Sequence, residues 1–246
     1  MFKGFFSALS FLTIIPVPGK MSGSSDDLGE SIVFFPVVGL FIGLATAISD
    51  SFLFCFFPPL VRSVLCMFFM VSISKGLHLD GLADTADGFL SSRPRDRILE
   101  IMRDSRIGTM GAAALVSIML LKTSALFSLN GDLRTRALVM APIAGRCSMS
   151  IIMTFFRYAR KDGGLASVFY EKATIKTGIV SALFFAIAGL SINGLSGFFI
   201  SSAAIAFIYL WGLCSKRMIG GFTGDTLGAG CELTEAFALV CFSMIG

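Results

Sequence analysis

The chain reads as an all-α protein, a polytopic transmembrane helical bundle of about six to seven spans, and three observations lead there. Hydrophobic residues make up 55% of its 246 positions and charged residues only 15%, against about a quarter charged in a soluble domain. Apolar runs approaching the ~20 residues needed for a crossing recur along its length. Basic residues gather in alternate loops between those runs, the pattern that orients multi-pass proteins. A mean hydropathy of +0.84 and 26 phenylalanines suit a surface that faces lipid. One integral-membrane domain over 1–246 is expected.

At the N-terminus, Lys3 precedes the apolar Phe5–Ile15, and Pro16-Val17-Pro18 follow. That run is short for a span and carries no small-residue cleavage pattern. It is expected to form an interfacial or re-entrant helix ended by the prolines, not a cleaved export signal. Spans are then expected at 31–49, 59–74, 109–129, 137–156, 177–193 and 197–214, with a short apolar tail from 236. A hydrophilic loop (Lys20–Glu30), a long polar segment (Lys75–Gly108) and a short loop (Asn130–Arg136) separate the early runs. Polar stretches at Arg157–Lys176 and Ser215–Glu235, and a minimal turn at Asn193-Gly194, separate the later ones. No internal repeat or low-complexity tract is visible.

With each run crossing once, the loops sort onto two faces. Of the 20 basic residues, all lie on one face except Arg62, Lys122, Arg134 and Arg136 on the other and Arg146 in mid-span. The basic face is expected to be cytoplasmic. Asp80, Asp84, Asp87, Asp104, Asp225, Glu232 and Glu235 fall on that same face, which predicts a site opening to the cytoplasm. Asp50 and Asp132 fall opposite, where no special role is expected. The six cysteines form no CxxC pair and there is one histidine, a poor basis for zinc. The basic residues flank apolar runs and form no stripe, so no nucleic-acid partner is expected.

Three clusters carry chemistry. In His78-Leu79-Asp80-Gly81-Leu82-Ala83-Asp84-Thr85-Ala86-Asp87-Gly88, the three aspartates stand at i, i+4 and i+7, one face of a helix. Crowded carboxylates repel unless a cation sits among them, and short oxygen ligands with room for water suit Mg2+. A merely solvated acidic loop is the plainer alternative. His78, two residues before Asp80, is a candidate general base or ligand-positioning group. The second cluster is Glu100–Gly111. Arg103 and Arg106 there would grip phosphate oxygens, Asp104 could orient or deprotonate a nucleophile, and Gly108 and Gly111 would let backbone approach a ligand. Arg93, Arg95 and Arg97 read as ordinary interfacial anchors. The third cluster, Gly220–Glu235, holds five glycines within eleven residues and could cradle a phosphate, or serve close helix contacts. It lacks the Gly-Lys-Ser/Thr end of a Walker loop. Asp225 and Glu232 would share a face if it is helical. Arg146 in mid-span costs on the order of 3 kcal/mol to insert and is expected to face a cavity or partner.

The strings HLDGLADTADG (78–88), RDRILEIMRDSRIGTMG (95–111) and GGFTGDTLGAGCELTE (220–235) resemble the cobalamin synthase, or adenosylcobinamide-GDP ribazoletransferase, family. So do the opening FFSALSFLTIIPVPG (5–19) and FFPVVGLFIG (34–43). The resemblance implies an Mg2+-dependent transferase in a prokaryotic inner membrane. It would join adenosylcobinamide-GDP to alpha-ribazole or its 5'-phosphate, form adenosylcobalamin or its 5'-phosphate, and release GMP. In that frame Asp80, Asp84 and Asp87 hold metal on the diphosphate, and Arg103, Arg106 and Arg146 hold phosphate oxygens. Asp225 and Glu232 complete the site, and the ribazole 5'-oxygen is expected to attack. Lys75 departs from the family, standing where a second small glycine is expected. It would add a phosphate contact or an interfacial anchor.

Two alternatives compete. A CDP-alcohol-type phosphotransferase also places aspartates on membrane helices, but Ala83 is followed here by Asp84 where that pattern has arginine. A transporter would place its binding residues near the midplane in repeated halves, whereas these acids collect at one face. The sequence leaves a homo-oligomer open.

Overall fold

The structure, a computed structural model, describes residues 2–18, 25–160 and 163–245. It is helical throughout, and among the described residues there is no strand. Helix α1 (Phe2–Leu12) stops where the Thr13 hydroxyl donates to the Leu9 carbonyl and accepts from Ile15 N–H. Two prolines follow, which cannot donate to a helix ladder. Helix α2 (Ser25–Glu30) and a 3-10 turn (Ser31–Phe34) lead into α3 (Phe35–Leu53).

Helix α4 (Pro59–Ile73) begins on a proline at its first turn, a position whose N–H needs no partner. It breaks by 92° into α5 (Leu77–Phe89). Lys75 and Gly76 make that break at φ 57° and 65°, a left-handed conformation natural for glycine and strained for lysine. The expected long polar segment is therefore largely helical, comprising α5 and α6 (Arg95–Ile101), before α7 (Thr109–Phe127).

Helix α8 (Gly131–Phe155) is the central column and is buried along most of its length. Gly39 and Gly43 of α3 let the two backbones touch: a Cβ on Gly39 would stand 2.6 Å from the Pro142 carbonyl oxygen. Small residues at such a crossing are how membrane helices pack without a hydrophobic drive. After α9 (Ser167–Lys172), α10 runs from Ile175 to Ile219 and reverses at Asn193 and Gly194, which leave helical geometry. The two arms lie back to back, since Ser201 Oγ donates to the Phe185 carbonyl at 3.1 Å. The Asn193-Gly194 turn is where the sequence places it.

Helix α11 (Gly224–Ser243) differs from expectation. The glycine-rich stretch is not an open loop but the first half of a spanning helix, and the apolar tail is its second half. Its glycines make close contacts: Gly228 faces the His78 backbone and Gly230 faces the Trp211 ring. Thr223 and Thr226 cap its start reciprocally, satisfying two end donors. Five helices are long and apolar enough to cross a membrane, or six with the bent α4–α5 pair. Because α10 doubles back, it supplies two passes. Apolar side chains such as Phe41, Ile48, Phe68, Leu120 and Leu183 face outward, and the ionic groups are folded inward.

At the face opposite α5, Asp50 does have a role. It is buried and takes three contacts from Arg134 at 2.8 to 3.1 Å. Arg62 Nε stands 3.2 Å from its Oδ1, close enough for an ion pair although not aligned for a hydrogen bond. The expectation of no role overlooked that α3, α4 and α8 bring these three charges together away from water.

Candidate active site

The site is built where α5 crosses α11. At Gly81 a Cβ would lie 2.6 Å from the Asp225 carbonyl oxygen, so only glycine permits this approach. The crossing sets Asp80 and Asp84 on one helix face, near Asp225. Asp80 is exposed and Asp84 half-buried. Among the described residues neither accepts a hydrogen bond or makes an ion pair.

Asp87, the third of the series, is differently engaged. Its Oδ2 accepts from Gly108 N–H at 2.7 Å and its Oδ1 from Gly111 N–H at 2.8 Å. It therefore caps α7 from outside, placing negative charge on the helix's positive end. Gly108 and Gly111 do allow a close approach of backbone to an anion, and here the anion is the Asp87 carboxylate.

Across the crossing, Asp225 Oδ2 accepts from Arg160 Nη2 at 2.9 Å and from Thr223 Oγ1 at 3.1 Å. Arg160 arrives there because residues 157–159 pair with Phe222: Ala159 N–H donates to the Phe222 carbonyl at 2.7 Å, and Phe222 N–H to that of Arg157 at 2.9 Å.

Two cavities meet at this point. The smaller, about 230 Å³, is lined by Phe11, Phe35, His78, Met149, Met153 and Phe169, with Asp80, Tyr158, Arg160 and Asp225 among its polar members. The larger, about 650 Å³, is lined by Lys75, Asp80, Asp84, Ser105, Ile107 and Leu115, among others. Asp80, Phe11, Leu77 and Leu165 belong to both.

His78 is 1% exposed. Its Nδ1 lies 3.6 Å from Cys231 Sγ, and Nε2 has no hydrogen-bond partner among the described residues. Arg146 and Glu232 line neither of these two cavities. They belong to a buried network in which Lys122 Nζ donates to Glu232 at 2.5 Å and to Glu235 at 2.7 Å. Arg146 donates to Glu235 and, through Nη2, to Ser74 Oγ at 2.7 Å. Two cations thus balance two anions, which makes ionic groups tolerable in a span.

Arg103, Asp104 and Arg106 lie exposed on the connection before α7. Asp104 holds Arg106 in a two-pronged pair at 3.0 and 2.7 Å. Hydrogen bonding from Arg106 draws the Asp104 carboxyl down to about 2, so it is a weak proton acceptor at neutral pH. Arg95 does more than anchor: it donates to the carbonyls of Ile219 at 2.7 Å and Ala159 at 3.1 Å, closing the end of α10. Arg97 makes the ordinary i, i+3 pair with Glu100.

The donor set fits a hard divalent ion. Asp80 and Asp84 offer carboxylate oxygens with no competing donor, and Asp225 faces them from α11. Among the described residues, no three His, Cys, Asp or Glu side chains converge closely enough to enclose an ion unaided. That is the usual situation for Mg2+, which keeps several waters and takes substrate phosphate oxygens as ligands.

Arg160 was missed in the sequence, where it is one basic residue among several in Arg157–Lys176. The dense run Arg157-Tyr158-Ala159-Arg160-Lys161 before two glycines was the available signal. Lys122 and Glu235 as a pair were not legible, because their partnership spans 113 residues.

A family model described as cobalamin-5-phosphate synthase matches residues 4–243. An adenosylcobinamide-GDP ribazoletransferase of Acetivibrio thermocellus is 38% identical over 95% of this chain and 94% of its own. Proteins of the same name from Clostridium acetobutylicum and Geotalea daltonii are 33% and 37% identical, over 97% and 100% of this chain and 95% and 99% of their own. No solved structure matches the chain.

Proposed function

Because the chain belongs to the cobalamin-5-phosphate synthase family, whose members are transferases of cobalamin assembly, we propose that it joins adenosylcobinamide-GDP to alpha-ribazole or its 5'-phosphate. GMP leaves, and adenosylcobalamin or its 5'-phosphate forms. The reaction would run at the cytoplasmic side of a prokaryotic inner membrane, as the basic excess on the α5 face supports. The observation that carries the reading is the pair Asp80 and Asp84. They are two unpartnered carboxylates at the junction of two cavities, one for each substrate.

Mg2+ held by Asp80 and Asp84, with Asp225 beside them, would neutralise diphosphate oxygens and the charge developing on departing GMP. The chain's own groups do the rest. Lys75, on the wall of the larger cavity, offers phosphate a point charge at the rim, the first of its two expected roles. Arg160 keeps Asp225 oriented and brings positive charge to the smaller cavity. His78, which lines the smaller cavity and whose buried Nε2 has no partner among the described residues, would accept the proton of the attacking hydroxyl. Arg103 and Arg106 stand at the rim beside Ser105, where they would meet the phosphates of an arriving substrate.

The sequence led to the 5'-oxygen of ribazole as the attacking group. The family's name describes a product phosphorylated at the 5 position; with the 5'-phosphate acceptor that oxygen is occupied, and the attacking group is then a hydroxyl on the ribose ring. It forms a bond to the phosphorus attached to the corrinoid side chain, while that phosphorus–oxygen bond to GMP breaks.

The test is direct. Purified protein with Mg2+, adenosylcobinamide-GDP and alpha-ribazole should release one GMP per corrinoid product. Supplying the 5'-phosphate acceptor should yield a product heavier by one phosphate. Release of GMP without a joined corrinoid, or no release at all, contradicts the reading.

A further inference from the structure

Resting on that reading, we propose that the smaller cavity seats the aromatic base of the acceptor, and that Met149, Met153 and Phe169 determine which bases it accepts. Size is the first argument. At about 230 Å³ the cavity falls below the roughly 300–1,000 Å³ typical for drug-sized ligands. It has room for one fused-ring base but not for a corrin macrocycle or a whole nucleoside diphosphate.

Wall chemistry is the second. Phe11, Phe35 and Phe169 form one cluster, with ring centroids 4.9 to 6.2 Å apart. Met149 and Met153, one helical turn apart on α8, add thioethers to the lining. Sulfur and phenyl groups pack well on a flat aromatic face. They offer nothing to the donor-and-acceptor edge of guanine, whose burial there would leave several polar atoms unpaired. Of the charged groups on the wall, Arg160 and Asp225 are already committed to each other, and Asp80 stands where this cavity joins the larger one, in the proposed metal site. An apolar azole base matches these walls and the guanine of the other substrate does not.

Continuity is the third. The cavity shares Asp80 with the larger one. A base seated among the phenylalanines therefore leaves its ribose beside His78 and the carboxylates, where the diphosphate must be met.

Met153→Phe should raise KM for alpha-ribazole about tenfold or more, the penalty for misfit in an apolar pocket. KM for adenosylcobinamide-GDP should stay within about twofold. Imidazole riboside, lacking the fused ring, should suffer less, so the preference between the two acceptors shifts toward the smaller base. Met149→Phe should act alike from the neighbouring turn. In the unsubstituted protein, ribazole carrying a photoreactive group on its base should label α8 at Met149–Met153 or α9. Unchanged acceptor KM in both variants, a rise confined to adenosylcobinamide-GDP, or labelling confined to the larger cavity's wall overturns the assignment. Unsubstituted protein that releases no GMP from the two substrates instead overturns the activity on which it rests.

Discussion

Asp84 and Asp104 are both acidic residues in motif-like strings, yet their surroundings give them opposite prospects. Asp84 is half-buried beside Asp80 and Asp225 with no partner, the condition of a carboxylate waiting for a cation. Asp104 is exposed and already paired with Arg106, an arrangement that contributes little at a surface. We therefore expect Asp84→Asn to cut kcat by roughly 100-fold or more, equivalent to about 2.7 kcal/mol of transition-state stabilisation. Asp104→Ala should change turnover by less than about fivefold, since only a screened surface pair is lost. Steady-state assays of GMP release compare the two. Arg146→Ala should act on folding instead. Removing one cation from the Lys122–Glu232–Glu235–Arg146 network strands a buried carboxylate, at a cost of about 3–5 kcal/mol. A thermal melt in detergent would register that loss. At this scale spacing singled out Asp80, Asp84 and Asp87, adjacency to Asp80 singled out His78, and the glycine-rich cluster singled out Asp225. The sequence could not separate Asp87 from its neighbours, because the Gly108 and Gly111 amides that occupy it come from another helix. Nor could it show that Arg146 finds Glu235, 89 residues away.

Helix α5 positions the site only because three neighbours hold it in place. Its start is turned by Gly76, its middle lies against α11 through Gly81, and its end is fastened to α7 through Asp87. Asp87→Ala should leave the α7 end uncapped and remove two charge-assisted bonds, each worth roughly 1.5–3 kcal/mol. Reduced melting temperature, with residual activity in the folded fraction, is the expected outcome. An Asp87→Ala protein as stable as the parent but inactive would mean the residue serves the reaction directly. The element scale also shows where sequence reading stops. Helices α3, α7, α8 and both arms of α10 follow from apolar runs. The first half of α11 does not, because its glycines and acids resemble a loop until their helix partners are known. Gly228 is small for the sake of the His78 backbone, and Glu232 is tolerated for the sake of Lys122. Polarity that faces inward carries no hydropathy signal.

The whole molecule closes two ionic networks inside, around Glu235 and around Asp50, while apolar side chains such as Phe41, Phe52 and Phe68 face outward. Its asymmetry lies along the membrane normal. The Asp50–Arg62–Arg134 cluster locks the far ends of α3, α4 and α8, and the carboxylates and cavities occupy the near end. This arrangement predicts labelling from opposite sides. Cys55, exposed between α3 and α4, should react with an impermeant maleimide on intact cells. A cysteine introduced by Ser105→Cys, on the wall of the larger cavity, should react only once the membrane is opened. The alternation of basic loops is the sequence signal behind this expected orientation, and the labelling tests it. The two-chambered site was not legible in the sequence, since it is assembled from segments scattered between Ser10 and Gly228. The central claim is that Asp80 and Asp84 grip a divalent ion that serves the diphosphate between these chambers. The most direct measurement is GMP release titrated with Mg2+ in the parent, Asp80→Asn and Asp84→Asn proteins, each shown to be folded. The account expects both variants to need far more Mg2+ and to plateau well below the parent. Parent-like titration curves in both would contradict it.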